Sequence, residues 1–442
     1  RGDLMFETVR NAFKLKEIRS RIIYTLLMLV VVRIGTQLPI PGVNGSYFSE
    51  WFSGNSGSAF GFFDAITGGS FEKMSVFALN ITPYITSSII IQLLTIAIPK
   101  LEELQKDGEE GRKKMTAITR YLTVALALME SLAMAIGFGK SGLLLEYNAL
   151  NIITAVVTLT AGSTVIMWIG ERITENGVGN GISIVLTINI ISRIPQDLTL
   201  LFEQFVKGKE IAFQVLNLAI IIAIIIAVTV LTVTLQGAER RIPVQYSRKV
   251  QGRKQIGGQS SYIPLKVNTA GVIPIIFAQS LFMFPLIIMQ LLGKSGGNGV
   301  GGTILKMLNQ SNWCDFKEPI YSIGLIVYIV LVIAFAYFYT SITFNPLEIA
   351  DNMKKQGGFI PGIRPGKPTS EYLTKILNYI IFIGAVGLVI VAIIPIFFEG
   401  AFNASISFGG TSLIIIVGVI IETLKQIESR MLVRNYKGFL NK

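Results

Sequence analysis

Residues 211–235, IAFQVLNLAIIIAIIIAVTVLTVTL, pass without one charged side chain. A run of about 20 apolar residues is the length a bilayer core demands, and inside lipid a helix satisfies its own backbone polar groups. Apolar runs of similar length recur near 22–38, 75–98, 116–137, 152–171, 182–200, 211–235, 267–292, 320–343, 374–397 and 410–427. With 51% hydrophobic and 15% charged residues in a chain of 442, a string of soluble domains is excluded. The expected fold is an all-α polytopic membrane protein with ten transmembrane helices.

Orientation follows from the positions of Lys and Arg. The segment 236–266 holds seven of them, whereas 398–409 holds none. Alternate connections are the basic ones, which places both termini and the 236–266 loop in the cytoplasm. An even number of spans with both ends on one side permits two five-span halves, 1–200 and 201–442, related by an inverted repeat.

Several chemistries fall away. The chain has no His, which removes imidazole ligands and Ser-His or Cys-His nucleophile pairs. Cys314 is the only cysteine, so neither an intrachain disulfide nor a Cys-x-x-Cys site is available, and it reads as an idle loop thiol. No cofactor or metal is expected. Ion-coupled transporters keep ionisable groups inside their spans. Here Glu130 is the clearest, with Arg33, Glu171 and Glu422 near span ends. With no paired acids and no serine beside a base, the chain is not read as an enzyme. A secondary transporter of small solutes is the alternative class, and it requires Glu130 for coupling.

Two adjacent stretches are unusual. NITPYITSSIIIQLL (80–94) sets Ile81 and Ile85 four apart on one helical face, with Pro83 between them as an expected weak point. Its Asn80, Thr82, Thr86, Ser87, Ser88 and Gln92 fit either helix–helix contacts or the flank of a dry constriction that gates by excluding water. Just before it, FGFFDAITGGSFEKM (60–74) is too short and too polar to span, and Gly68-Gly69 reads as a flexible joint. This stretch is either an external surface loop or a segment folded back into the protein.

Arg240, Arg241, Arg248, Lys249, Arg253 and Lys254 crowd the 236–266 loop. Ile242, Val244 and Tyr246 alternate with polar positions there, the period of an extended strand, and SSYIPLKV (260–267) suits a returning partner. The loop is expected to be a rigid basic finger standing out from the membrane. Its cations either fix topology and touch anionic lipid, or form a docking surface for phosphate or acidic protein. A second finger, 352–373, is stiffened by Pro361, Pro365 and Pro368, with Arg364 at its glycine-turned tip. Phe6, Val9 and Phe13 line one stripe of residues 6–21, an expected interfacial helix on the cytoplasmic leaflet.

FALNITPYITSSIIIQLL, ENGVGNGISIV, IPLKVNTAGVIPIIFA, NPLEIADNMKKQGGFIPGIRPG and FGGTSLIIIVGV follow one another in order between the expected spans. Together they closely resemble the SecY family, from about Met5 to the C-terminal tail. The resemblance implies a gated protein-conducting channel in the bacterial plasma membrane. It would be a clamshell of two pseudo-symmetric five-helix halves that opens laterally between the second and third and the seventh and eighth spans. Unfolded secretory polypeptides would cross it, and transmembrane segments would leave it sideways.

By motif, the implied pore ring is Ile81, Ile85, Leu186, Ile190, Ile276 and Ile415. Branched aliphatic side chains can close around any polypeptide while offering ions no hydrating ligand. The implied plug is Phe60, Phe62, Phe63, Asp64, Ile66, Gly68, Gly69 and Phe71, docked weakly enough to leave. Thr86, Gln92 and Asn268 fall at the lateral gate, and Glu130 stands there where glutamine is expected. The basic loops 236–266 and 344–373 would meet ribosomal RNA or the SecA ATPase motor, with Arg364 needed to drive translocation. Other implied partners are SecE- and SecG-type small membrane subunits, signal peptides, nascent chains and membrane lipids.

Overall fold

The computed structural model describes residues 13–53, 64, 66–207, 211–246, 249–251, 254–256, 260–291, 300–309, 312–314, 318–402 and 410–440. Each expected span overlaps a helix. In chain order the helices are α1 (Lys16–Gly35), α2 (Gly45–Ser53), α3 (Thr82–Ala97), α4 (Pro99–Lys106), α5 (Gly108–Phe138), α6 (Ala149–Asn176) and α7 (Gly181–Phe205). They continue as α8 (Ile211–Gly237), α9 (Ile273–Leu291), α10 (Val300–Leu308), α11 (Ile323–Thr343), α12 (Pro346–Lys355), α13 (Lys367–Phe402) and α14 (Gly410–Leu440). Among the described residues six helices are long and apolar enough to cross a membrane. A seventh is added if α3 and α4, bent by 107° at their junction, make one span.

The apolar surface is distributed as a bilayer solvent requires. On α8, Ile220, Ile222, Ile226 and Val230 are all exposed, so an almost wholly aliphatic helix faces outward. On α7, Val185, Leu186, Asn189, Ile190, Arg193 and Asp197 are buried, so a helix with polar side chains points its mixed face inward. Beyond α9, Trp313 is fully buried, stacks edge-on against Phe282 and donates from Nε1 to the Met307 carbonyl at 2.6 Å. Neighbouring Cys314 is half-buried, and burial pushes its thiol up, which favours the inert protonated form.

Two helix starts differ from expectation. Pro83 lies in the first turn of α3, where its missing N–H costs nothing and its fixed φ suits helix entry. It therefore opens the helix rather than weakening it. Ile81 is the N-cap, and its carbonyl accepts the Ile85 amide at 3.1 Å, which sets the two side chains one turn apart. Residues 75–80 are bridge and turn rather than the start of a span. Likewise α9 begins only at Ile273, so Asn268 sits on the preceding turn, which reverses at Gly271 with φ +64°.

The strands lie between α8 and α9 and between α12 and α13. Strand β1 (Glu239–Tyr246) pairs antiparallel with β4 (Ser260–Lys266), with Ile242 opposite Ile263 and Val244 opposite Ser261. Between them β2 (Lys249–Gln251) and β3 (Lys254–Ile256) form a small hairpin of their own. The expected free-standing finger is not what forms. Strand β5 (Gly358–Phe359), from the second basic loop, adds to the other edge of β1 through Gln245 and Tyr246. Ile242, Val244 and Leu265 then bury against Met353, Ile360 and Leu373. An alternating strand has one apolar face to cover, and the neighbouring loop supplies the cover. The two fingers are one platform.

Candidate functional site

The six aliphatic residues expected at the ring come from four helices, α3, α7, α9 and α14. Ile81, Ile85 and Leu186 pack in one cluster, which also contains Ile66 of the returning segment. Ile190 and Ile415 pack in a second cluster, against Val272. Leu186 and Ile190 are one turn apart on α7, so that helix joins the two clusters. Ile276 is half-buried one turn beyond Val272, its amide donating to the Val272 carbonyl at 3.2 Å.

The segment at 64–80 is folded back into the protein, and the surface-loop alternative does not hold. Ile66 is 8% exposed, Phe71 4% and Asp64 fully buried. Gly68 and Gly69 have φ of +69° and +79°, a left-handed pair that fixes a turn rather than loosening a joint. A Cβ at Gly68 would lie 2.8 Å from the Asn189 carbonyl oxygen, so the chain passes directly over α7. Phe60, Phe62 and Phe63 lie outside the described residues.

Asp64, read from the sequence as compatible with weak docking, sits in a buried cluster of charges. Asp64 forms an ion pair with Arg193 of α7, which is itself only 7% exposed. Glu72 reaches the same guanidinium at 3.4 Å, and Asp197 lies 3.7 Å from its Nε. Arg193 is not among the residues the sequence singles out, because Asp197 four residues on reads as its local partner. The signal that remains is a charge inside an apolar run, for which Asp64 and Glu72 of 60–74 are candidate partners.

The four residues expected at the gate are dispersed. Thr86 and Glu130 are half-buried, Gln92 is exposed and Asn268 is buried. No hydrogen bond among the described residues joins them. Asn268 lies instead beside Gly384 of α13, because the chain is still turning there. Helices α5 and α9 do touch, which brings the third and seventh expected spans together. Beside this contact a cavity of about 410 Å³ is walled by Ile85, Gln92, Arg120, Glu171 and Ile273. Arg120 donates to Glu171 across it at 2.8 Å, tying α5 to α6.

On the platform Arg240 and Arg241 are exposed. Arg241 donates to Glu239 at 2.6 Å and lies 4.8 Å over the Tyr262 ring. The hydrogen bond to Glu239 holds its proton more firmly still. Arg364 is exposed between Gly362 and Gly366, at φ +82° and +104°, and its carbonyl accepts Thr369 Oγ1 at 2.8 Å. Arg248 and Arg253 lie outside the described residues. Lys249 and Lys254 are on the small hairpin, where only the backbone is described.

These features define a class: a helical membrane protein with clusters of aliphatic side chains where its helices meet, a segment folded back onto one of them, and a basic platform built from two loops. The SecY family model matches residues 75–424. The protein translocase subunit SecY of Halalkalibacterium halodurans is 42% identical over 99% of this chain and all of its own length. That of Streptomyces scabiei is 44% identical, with the same coverage. The chain belongs to the SecY family. A solved structure of a protein conducting channel superposes with a TM-score of 0.61 at 19% identity, over 93% of this chain and 92% of the other. Sec61 in the canine ribosome–channel complex gives 0.58 at 18%, over the same shares. These two likenesses concern the fold.

Proposed function

We propose that this chain is the pore subunit of a bacterial protein translocase. It is a passive, gated channel through which unfolded secretory polypeptides cross the plasma membrane and from which transmembrane segments leave sideways. The observation that carries the reading is the packing of Ile66 against Ile81, Ile85 and Leu186, a returning segment seated on an aliphatic ring. Residues 60–74 are then the plug, and the six ring residues are the seal. The ten spans are α1, α3, α5, α6, α7, α8, α9, α11, α13 and α14, in two halves with both ends in the cytoplasm. Contact between α5 and α9 is the seam that opens toward lipid, near Thr86, Gln92, Glu130 and Asn268.

Free energy comes from partners. The platform presents Arg240, Arg241 and Arg364 to a SecA-type motor or to ribosomal RNA, and SecE- and SecG-type subunits brace the helices. Arg364→Glu is expected to lower motor-driven translocation by about tenfold or more, as reversal of a docking charge does. The platform itself keeps its protease resistance. In vitro translocation with purified motor checks this, and unchanged transport removes Arg364 from the docking surface.

The channel reading is tested by site-specific crosslinking from a photoreactive residue at position 276 to a stalled secretory chain. A crosslink there, absent from a control at lipid-facing position 222, places polypeptide in the ring. Failure at 276, 85 and 415 with the chain otherwise engaged reduces the ring to helix packing.

A further inference from the structure

The returning segment is held by charge as well as by apolar contact. Its Asp64 carboxylate is fixed by its own turn: Oδ1 accepts the Glu72 amide at 2.8 Å. The Asp64 carbonyl accepts Gly69 N at 3.1 Å and Thr67 Oγ1 at 3.1 Å. Thus preorganised, the carboxylate meets Arg193, with Glu72 on the same guanidinium. A second cation, Arg33 of α1, approaches the same turn. A Cβ on Gly68 would sit 3.0 Å from Nη1 of Arg33, a buried atom for which no hydrogen-bond acceptor is found among the described residues.

Charges at this depth are costly unless paired, and removing one partner strands the other. Four charged groups around one turn are not needed for packing that Ile66 and Phe71 already supply. They suit an attachment that must be firm when made and break as a unit. Asp197, one turn along α7, stays with Arg193 when the segment departs, so release leaves no bare guanidinium.

We propose that Arg193 is an ionic latch that fastens the plug to α7 in the resting channel, with Arg33 of α1 set against the same turn. The proposal rests on the reading of 60–74 as the plug. Both cations belong to the first five spans, so parting the α5–α9 seam does not by itself release the plug. Release requires the Asp64–Arg193 pair to open.

The test is the resting ion leak of membranes carrying the assembled translocase, measured without substrate. The variants are Asp64→Asn, Arg193→Gln, the double variant, and a deletion of 60–74. Each single variant is expected to raise the leak about tenfold or more, because a buried charge loses its closest partner and keeps only partial compensation from Glu72 and Asp197. The double variant, with neither charge, is expected to leak less than either single one. A leaking deletion with silent single variants overturns the latch and keeps the plug. A silent deletion overturns the plug reading, and the latch with it. A double variant whose leak is the product of the single effects shows two independent sites and also overturns the latch. If Arg193→Gln does not accumulate, Asp64→Asn, which leaves the expected spans unaltered, decides the matter.

Discussion

Val244→Asp is expected to abolish motor-driven translocation while the chain remains inserted in the membrane. Val244 is fully buried on β1, beside Ile242 and Leu265, and all three face Met353, Ile360 and Leu373 from the second basic loop. An aspartate there either keeps its charge in an apolar core or is forced to bind a proton, and both cost several kcal/mol. The spans are not involved, so the loss falls on the platform alone. A loss of about 3 kcal/mol lowers the folded fraction of the platform about a hundredfold once its own stability is exhausted. Strand β5 then separates from β1, and Arg364 loses its fixed position relative to Arg240 and Arg241. Limited proteolysis is the readout: cleavage within 247–259 and within 356–366 appears together, with the helices protected. Val244→Ile, which keeps the site apolar, retains most activity. Cleavage in only one loop would falsify the joint platform and restore two separate fingers.

That joint platform shows where sequence reading stops. The strand at 239–246 is legible because Ile242, Val244 and Tyr246 alternate, and its partner at 260–266 lies one hairpin away. Strand β5 is two residues long and more than one hundred positions distant, so no local period announces it. The spans are legible for the same reason as β1: lipid imposes a long apolar run on each helix. Their exact starts are not. Apolar composition continues through 75–80 and 267–272, where hydrogen bonds to Leu38 and Ala238 hold the chain in turns instead. The gate residues suffer most, because Asn268 was placed on a helix that starts five residues later.

Charges inside apolar runs are only partly legible. Arg33 and Glu171 stand out near span ends, whereas Arg193 and Asp197 are masked by each other at helical spacing and look like a local pair. The structure shows the pair to be half of a larger arrangement whose other half, Asp64 and Glu72, is more than one hundred residues earlier. Both omissions, β5 and Arg193, share a cause. Each contact is non-local, and each involves a segment that is neither long nor periodic.

Gly162→Ala is expected to lower the stability of the whole amino-terminal helix group by about 2–3 kcal/mol, at the upper end of what overpacking costs. Gly162 is buried on α6, and a Cβ there would lie 2.0 Å from the Val76 carbonyl oxygen, with the Val76 carbonyl carbon at 2.9 Å. The obstacle is backbone, which cannot rotate aside. Val76 is also held from behind, since its amide donates to the Leu38 carbonyl at 2.8 Å. The next residue of α6, Ser163, donates to the Asn80 carbonyl at 2.9 Å, immediately before Ile81. Together Gly162 and Ser163 set the height at which 75–80 enters α3, and therefore the position of Ile81 and Ile85. Forcing Val76 outward by about an ångström displaces the ring as well as loosening the packing, because close-packed interiors transmit such shifts. The variant is thus expected to show both a lower unfolding temperature in detergent and a raised resting leak. Gly418→Ala is the control. A Cβ there meets only the Gln236 amide at 3.7 Å, an ordinary contact, and the substitution improves helix propensity by about 1 kcal/mol. Equal loss from both substitutions would show that close approach at Val76 is not what fixes α6. Loss of stability from Gly162→Ala without added leak would separate packing from the seal, and place the ring on α7 and α9 rather than on the entry to α3.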